Sequence, residues 1–219
     1  MNLNQQQTAY LSDTYNRMEQ KYRAECHRMN GRIPSISIDG AYPTWDESMI
    51  NWWTNGFWGG IMWQLYHAEN NSDYMSEANC LEEHLEKAFE HFDLLDHDVG
   101  FLWLHTAVAH YRLTGDPTAR QRGLRAAAVL ASRYCPAGEY IRAWNRPGLS
   151  QMIIDCVMNL PLLFWAASEG AGDHYRQIAI HHLDRVLTHI IREDGSCNHI
   201  VEFDEATGEV LNIPGGQGY

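Results

Sequence analysis

The sequence has 219 residues, of which 45% are hydrophobic, and this length fits one large domain with an ample core. Its formal net charge of -12 argues against a nucleic-acid partner, because such a partner requires a basic protein face. The N-terminal stretch MNLNQQQTAY lacks a signal-peptide pattern, and no apolar run reaches the ~18 residues of a membrane span. Five widely spaced cysteines without a CxxC pair indicate reduced thiols. We therefore expect a cytoplasmic protein without a membrane partner.

Helical periodicity dominates the chain, and strand signals are weak until its end. The pattern predicts helices at residues 4–29, 55–70, 73–95, 100–114, 117–134, 153–168 and 173–192. The later stretch NHIVEFDEATGEVLN predicts a β-hairpin around Ala206-Thr207-Gly208.

The connections between these helices alternate in character. Short polar turns recur, each with an aspartate placed to cap the next helix: Asp73, Asp116 and Asp173. Other connections lie between them, and antiparallel helix hairpins in a row would put the two kinds at opposite ends. We predict an all-α array of helical hairpins that forms a single domain over residues 1–219.

The second set of connections holds the candidate functional residues, which are Asp98, Trp144, Asp155, His199 and Gln217. In a hairpin array all five converge on one rim, and two acids on one rim suit glycoside chemistry. Asp155 lies in the almost unbroken apolar run QMIIDCVMNLPLLFW. Because a buried carboxylate is costly unless it is paired, hydrogen-bonded or protonated, this position predicts a functional acid.

Each candidate has a structural alternative. Asp98 could simply cap the helix that follows it, and Asp155 could accept hydrogen bonds from backbone amides or from Asn159. The eight tryptophans and eleven tyrosines could line a carbohydrate cleft or pack a core. Trp144 lies in a polar loop, where stacking on a sugar is the more natural role.

Other kinds of site have less support. The sequence contains no HExxH, GxSxG or P-loop motif, and no GxGxxG motif after a strand. Its histidine pairs have poor spacing for a shared metal on one helix face. We therefore expect no metal and no nucleotide cofactor.

Four segments together resemble successive motifs of the unsaturated glucuronyl hydrolases, glycoside hydrolase family 88. They are Trp53–Gly60 (WTNGFWGG), His97–Phe101 (HDVGF), Ile154–Pro161 (IDCVMNLP) and Gly215–Tyr219 (GGQGY). Their order and spacing match the family from about residue 40 to the last residue. The resemblance implies an (α/α)6 barrel, of which this chain is the N-terminal portion, incomplete at its C-terminal side.

The resemblance also implies a substrate and a reaction. The family acts on oligosaccharides left by polysaccharide lyases, whose non-reducing uronic acid carries a C4=C5 double bond beside the ring oxygen. Protonation of C4 gives an oxocarbenium-like centre at C5, water adds there, and the resulting hemiketal opens and releases the glycosidic linkage. The anomeric carbon is not attacked directly, so the separation of the two carboxylates does not report retention or inversion.

Residue roles follow from the match to the family motifs. Asp155 matches the general acid/base, and Asp98 matches a second acid that helps to hold the substrate and the catalytic geometry. The positions matched to substrate binding are His97, which lies in the Asp98 motif, Trp144, His199, Gln217, Trp53 and Trp58.

The family continues beyond the point where this sequence stops, with a motif that supplies a basic contact to the uronate carboxylate. The roughly seven helices predicted here would leave open apolar flanks, where a closed barrel has twelve helices. We expect self-association or pairing with a completing C-terminal segment, and activity far below that of a full-length relative.

Three alternatives stay open on the sequence. A related unsaturated rhamnogalacturonyl hydrolase would use the same chemistry. A sugar 2-epimerase on a similar barrel would want histidine bases at the rim. A sugar-binding remnant without activity would keep the pocket and lose turnover.

Overall fold

The computed structural model describes residues 3–42 and 49–215. Most of these residues are helical, and the α-helices are α1 (Gln5–Met29), α2 (Asn55–Glu69), α3 (Ser72–Glu86), α4 (Val99–Trp103), α5 (Ala109–Thr114), α6 (Pro117–Ser132), α7 (Leu160–Ser168) and α8 (His174–Arg185). A π-helical stretch, Leu104–Val108, joins α4 to α5, so the predicted helix over residues 100–114 is confirmed as one continuous element. Helix α3 continues as a 3-10 segment, Lys87–Leu94, and α8 continues as a π-helical stretch, Val186–Ile190.

The helices pack as two rows. Helix α2, the α4–α5 unit and α7 are neighbours in one row, and α3, α6 and α8 lie against them in the other. The largest hydrophobic core fills the space between the rows and includes Leu102, Trp103, Leu130 and Leu163. The predicted array of helix pairs is thus confirmed, whereas a ring of twelve helices stays a prediction. Within the described ranges, no helix has both the length and the hydropathy needed to cross a bilayer.

Small sheets make the all-α prediction wrong in part. A two-stranded sheet joins β1 (Tyr134–Cys135) to β2 (Tyr140–Ile141), and a three-stranded antiparallel sheet has the order β3-β4-β5. Its strands are β3 (Ser150–Ile153), β4 (Ile200–Phe203) and β5 (Val210–Asn212). The predicted β-hairpin is confirmed as β4–β5.

Strand β3 lies at the start of the helix that the sequence predicts from residue 153. Ser150 pairs with Phe203 and Ile153 with Ile200, and a 3-10 segment, Ile154–Met158, follows before α7 begins. All four residues of β3 are buried. The predicted helix over residues 153–168 is therefore found as this 3-10 segment and α7, and nothing in the sequence indicated strand β3, half of which is polar (Ser150 and Gln151).

The three predicted capping aspartates behave differently. The Asp116 carboxylate accepts from the Ala119 amide at 2.7 Å and caps α6 as predicted. Helix α3 is capped one step earlier, since Asn71 accepts from the Asp73 amide at 2.9 Å. Asp173 precedes α8 but accepts from the side chains of Arg176 and Gln177 instead of a helix amide.

Candidate active site

His97 lies at the centre of the candidate site and is 1% exposed. It belongs to the connection between the 3-10 segment after α3 and the start of α4. Its Nδ1 lies 3.0 Å from the carbonyl oxygen of Ala143, and its Nε2 lies 3.2 Å from Asp155 Oδ1 and 3.3 Å from Asp98 Oδ1. Both predicted catalytic acids therefore meet on one nitrogen atom of a buried histidine.

The partners of His97 fix where hydrogen atoms can lie. A carbonyl oxygen only accepts, so Nδ1 carries a hydrogen that it donates to Ala143. Nε2 then faces two carboxylates, and neither can donate when both are ionised. One additional proton is therefore held either on Nε2 or on one of the two acids.

Electrostatics favour the protonated form of His97. Burial lowers the pKa of the imidazole, but the hydrogen bond to Asp155 and the charges of Asp98 and Asp96 outweigh this effect and raise the pKa above its ordinary value. The site thus retains a proton to higher pH than an isolated histidine would.

The two acids differ in exposure. The Asp155 side chain is 43% exposed, whereas that of Asp98 is 15% exposed. Burial raises the pKa of the Asp98 carboxyl to about 6, against the lowering charge of His97 and with smaller raising contributions from Asp96 and Asp155. No hydrogen-bond partner is found within the described chain for the buried Asp98 Oδ1, despite its closeness to His97. The apolar surroundings that the sequence indicated for Asp155 do not bury its side chain.

The 3-10 segment after β3 explains the exposure of Asp155. Ile153 and Cys156 on either side of it are buried in the core, while the Asp155 side chain points away from them toward His97. The Ile154 amide donates to the His199 carbonyl at 3.0 Å, which ties this segment to the residue before β4. The apolar run thus surrounds Asp155 in sequence but not in space.

Asn159 joins the two acid-bearing segments. Its side-chain oxygen accepts from the Phe101 amide at 2.8 Å, and its amide nitrogen lies 3.5 Å from the Asp155 carbonyl oxygen. A Cβ atom on Gly100 would lie 2.4 Å from the Asn159 side-chain oxygen, so only glycine permits this approach. Asn159 therefore bonds the backbone of Asp155 and not its carboxylate, contrary to the structural alternative considered above.

Aromatic rings border the site on two sides. Trp144 is half-buried, with its ring edge-to-face to His97 at 5.7 Å between centroids and the Arg146 guanidinium 4.6 Å from the ring. Trp53 is 38% exposed and packs 5.7 Å from Phe101, which follows Asp98 on α4. Trp144 thus lies beside His97 and Trp53 beside Phe101, and both rings leave part of their surface exposed.

The structure does not bring every candidate to the acids. Trp58 is 6% exposed, its indole nitrogen donates to Glu77 at 3.0 Å, and it packs in a separate core cluster with Met62 and Tyr74. A contact with substrate is therefore not expected of Trp58, and its place in the motif reflects packing. His199 is half-buried beside the Asp155 segment through its backbone, and Gln217 lies outside the described residues.

Two neighbours of the site were not found from sequence. Asp96 accepts from the Asp98 amide at 2.9 Å, and Arg133 donates to the Ala143 carbonyl at 2.9 Å. Asp96, His97 and Asp98 offer three potential metal-ligand atoms within 4.8 Å of one another. The His97 and Asp96 atoms have the protein partners given above, and we assign no metal to them. The absence of a cofactor stays a prediction.

The chain is similar to several proteins of known function. No protein-family model matches it. The unsaturated chondroitin disaccharide hydrolase of Streptococcus agalactiae serotype III (strain NEM316) is 37% identical over 174 residues, or 76% of this chain and 43% of that protein. The unsaturated glucuronyl hydrolase of Bacillus sp. (strain GL1) is 34% identical over 164 residues, or 73% of this chain and 44% of that protein. The predicted resemblance to the unsaturated glucuronyl hydrolases is confirmed.

Solved structures of unsaturated glucuronyl hydrolases agree with this result. The crystal structure of the enzyme from Streptococcus agalactiae matches with a TM-score of 0.83 at 29% identity, covering 93% of this chain and 53% of that one. An aspartate-to-asparagine mutant of that enzyme in complex with dGlcA-GalNAc6S matches with a TM-score of 0.68 at 28% identity, covering 93% and 50%. The chain thus spans about half the length of the unsaturated glucuronyl hydrolases that it matches.

Proposed function

We propose that this chain functions as an unsaturated glucuronyl hydrolase in polysaccharide degradation. It removes the 4,5-unsaturated uronic acid from the non-reducing end of lyase-generated oligosaccharides by adding water across C4=C5. The observation that carries the proposal is the contact of Asp98 and Asp155 with one nitrogen of buried His97, because this cluster holds the proton that the reaction needs. The relatives named above support the substrate class.

Asp155 is the group that delivers the proton. It is the more exposed of the two acids, so its carboxyl can reach a bound sugar, whereas Asp98 lies deeper. The carboxyl gives its proton to C4, and the electron pair of the double bond forms the new C4–H bond. Water then bonds to C5 and returns a proton to the carboxylate, which restores the acid.

His97 and Asp98 keep the site in the protonation state that this step requires. A proton on Nε2 of His97 lies within hydrogen-bond distance of Asp155 Oδ1 and can move between them. Below its raised pKa of about 6 the Asp98 carboxyl is neutral and adds little negative charge to the site. These two residues therefore support Asp155 without needing to touch C4.

The activity should depend on pH in a way set by Asp98. Its pKa, raised by burial to about 6, keeps it protonated below that value and ionised above it. We expect a bell-shaped profile of kcat/KM with an optimum below neutrality and a fall as the pH rises past about 6. Initial rates on an unsaturated disaccharide between pH 4 and pH 9 test this. A rate that continues to climb through pH 8 would point to a base-initiated reaction such as epimerisation.

Trp144 is proposed to stack on the sugar. Trp144→Ala should raise the dissociation constant of an unsaturated disaccharide by about 10-fold, within the 0.5–1.5 kcal/mol typical of an aromatic contact, and change kcat less. Trp144→Phe is the matched control and should retain most of the affinity. Unchanged affinity in calorimetry together with a lower melting temperature would instead make Trp144 a packing residue.

The remaining assignments are parts of the same proposal. Trp53 forms one wall of the sugar cleft, and His199 and Gln217 lie near the uronate and the attacking water. The five cysteines are all free, and three of them are buried, which supports a reducing compartment such as the cytoplasm. Self-association, or a completing C-terminal segment, stays a prediction.

One assay separates this proposal from its alternatives. Conversion of an unsaturated glucuronyl disaccharide is followed by the loss of its ultraviolet absorbance. A hydrolase removes the absorbance, a sugar-binding remnant binds the disaccharide and leaves it unchanged, and a rhamnogalacturonyl hydrolase prefers an unsaturated rhamnogalacturonan fragment. No relative named above is called a rhamnogalacturonyl hydrolase.

A further inference from the structure

Arg133 is a buried arginine with an unusual set of partners. It follows α6 and is 7% exposed. Its guanidinium donates to four oxygens, none of which belongs to a carboxylate: Arg142 O at 2.8 Å, Leu95 O at 3.1 Å, Asn145 Oδ1 at 2.8 Å and Ala143 O at 2.9 Å. Burial lowers the pKa of this guanidinium, with the charge of Asp96 acting in the opposite direction. A buried cation satisfied by neutral oxygens does not gain the attraction of a direct ion pair, so its position calls for another reason.

The four oxygens belong to the two connections that carry the site. Leu95 immediately precedes the Asp96–Asp98 segment, and the other three flank or adjoin Trp144. Asn145 strengthens the same junction, because its amide nitrogen donates to Asp93 O at 2.7 Å and to Leu95 O at 2.9 Å. Arg133 therefore fastens the segment with the buried acid to the segment with the aromatic ring.

Ala143 O is the point where Arg133 meets the catalytic cluster. This one oxygen accepts from Arg133 Nη2 at 2.9 Å, from His97 Nδ1 at 3.0 Å and from the His97 amide at 3.2 Å. The Ala143 amide donates in turn to Gln151 O at 2.7 Å, on the strand that leads to Asp155. A shift of Ala143 would move the imidazole relative to both acids.

We propose that Arg133 is a positioning residue that holds Ala143 O, and through it the imidazole of His97, in register with Asp98 and Asp155. Arg133 does not reach the substrate; it acts by fixing the hydrogen bond at Nδ1 and hence the direction of Nε2. This inference rests on the proposed function for its effect on turnover but not for its effect on His97.

The charged groups around His97 define what a change at Arg133 should alter. The imidazole faces Asp96, Asp98 and Asp155, and Arg133 shares its carbonyl partner. His182 on α8 adds no charge to this group, because burial, and to a smaller extent the charge of His97, lowers its pKa to about 4. Loss of the Arg133 bonds would loosen Nε2 from the two acids, so the raised pKa of His97 should fall toward that of a buried, unpaired histidine.

The test compares Arg133→Lys with Arg120→Gln in the full chain. Lysine keeps the charge but presents one nitrogen atom where four oxygens need donors, so part of the junction loses its bonds. Arg120 is the matched control, because it lies near the start of α6, at the end opposite Arg133, and its bonds go to Glu169 after α7. The readouts are the ring-nitrogen NMR titration of His97 without substrate, and kcat and KM across pH.

Arg133→Lys is expected to shift the His97 titration to lower pH and to lower kcat about 10- to 100-fold with little change in KM, since small misplacements of catalytic groups have effects of this size. Arg120→Gln should change neither. If Arg133→Lys does not fold, Asn145→Ala takes its place, because it removes one Arg133 acceptor and both ties from Asn145. A variant with a lower melting temperature but an unchanged His97 titration and pH profile would overturn the proposal. Wild-type protein without turnover would contradict the proposed function alone, and the titration would still decide the role of Arg133.

Discussion

Asp155→Asn is expected to lower kcat at least ~10²-fold while substrate binding is largely retained. The amide keeps the size and shape of the carboxyl but cannot transfer a proton to C4, and a positioned acid or base typically contributes ~10²–10⁴-fold. Because the Asp155 side chain is 43% exposed, the change should have little effect on the free energy of unfolding. The measurement is kcat from the absorbance assay, with calorimetry of an unsaturated disaccharide for affinity.

The matched control for Asp155→Asn is Asp173→Asn, in the turn before α8. Its carboxylate binds only Arg176 and Gln177 among the described residues. Turnover should be unchanged in this control. Near-normal turnover in Asp155→Asn would refute its assignment as the acid.

Asp98→Asn is expected to have two opposite effects, a loss of activity and a gain in stability above about pH 6. Burial raises the Asp98 pKa from 3.8 to about 6, so the folded protein retains a proton that the unfolded chain releases. Wild-type stability from this group is therefore largest at low pH and falls as the pH rises from about 4 through 6. The neutral amide removes that penalty, which is at most about 3 kcal/mol at about 1.4 kcal/mol per pKa unit.

The gain will be smaller than this limit because His97 loses one of the charges that favour its protonated form. Thermal unfolding at pH 4.5 and pH 8 measures the effect, and the difference in melting temperature between variant and wild type should be larger at pH 8. Activity should fall by about 10²-fold, because the amide is neutral but can neither take up nor release the proton that Asp98, His97 and Asp155 share. A variant that is less stable than wild type at pH 8 would show that the Asp98 carboxylate has favourable partners beyond His97.

Most helices could be predicted from sequence because their signals are local. The predicted starts at residues 4, 55 and 117 agree with α1, α2 and α6 within one residue. Strand β3 could not, because its partner β4 lies about 50 residues away and pairing across that distance leaves no periodic signal.

The site shows the same division between local and long-range information. The predicted convergence of Asp98, Trp144 and Asp155 agrees with their positions around His97, since all three lie in connections between helices. The exposure of the Asp155 side chain could not be predicted from its apolar neighbours in sequence, because it depends on the direction of the 3-10 turn after β3. The hub at Ala143 O was invisible, because a backbone carbonyl and a buried arginine carry no signature that separates them from ordinary residues.

The central claim is that the proton held by Asp155, His97 and Asp98 is delivered to C4 of an unsaturated uronate. Its most direct test is the reaction of the 219-residue chain with an unsaturated glucuronyl disaccharide in heavy water, with Asp155→Asn as the background. We predict loss of the ultraviolet absorbance, release of the second sugar and one deuterium at C4 of the uronate product, all far above the rate of the variant. Release of the second sugar without deuterium at C4, or absorbance loss equal to that of Asp155→Asn, would contradict the account.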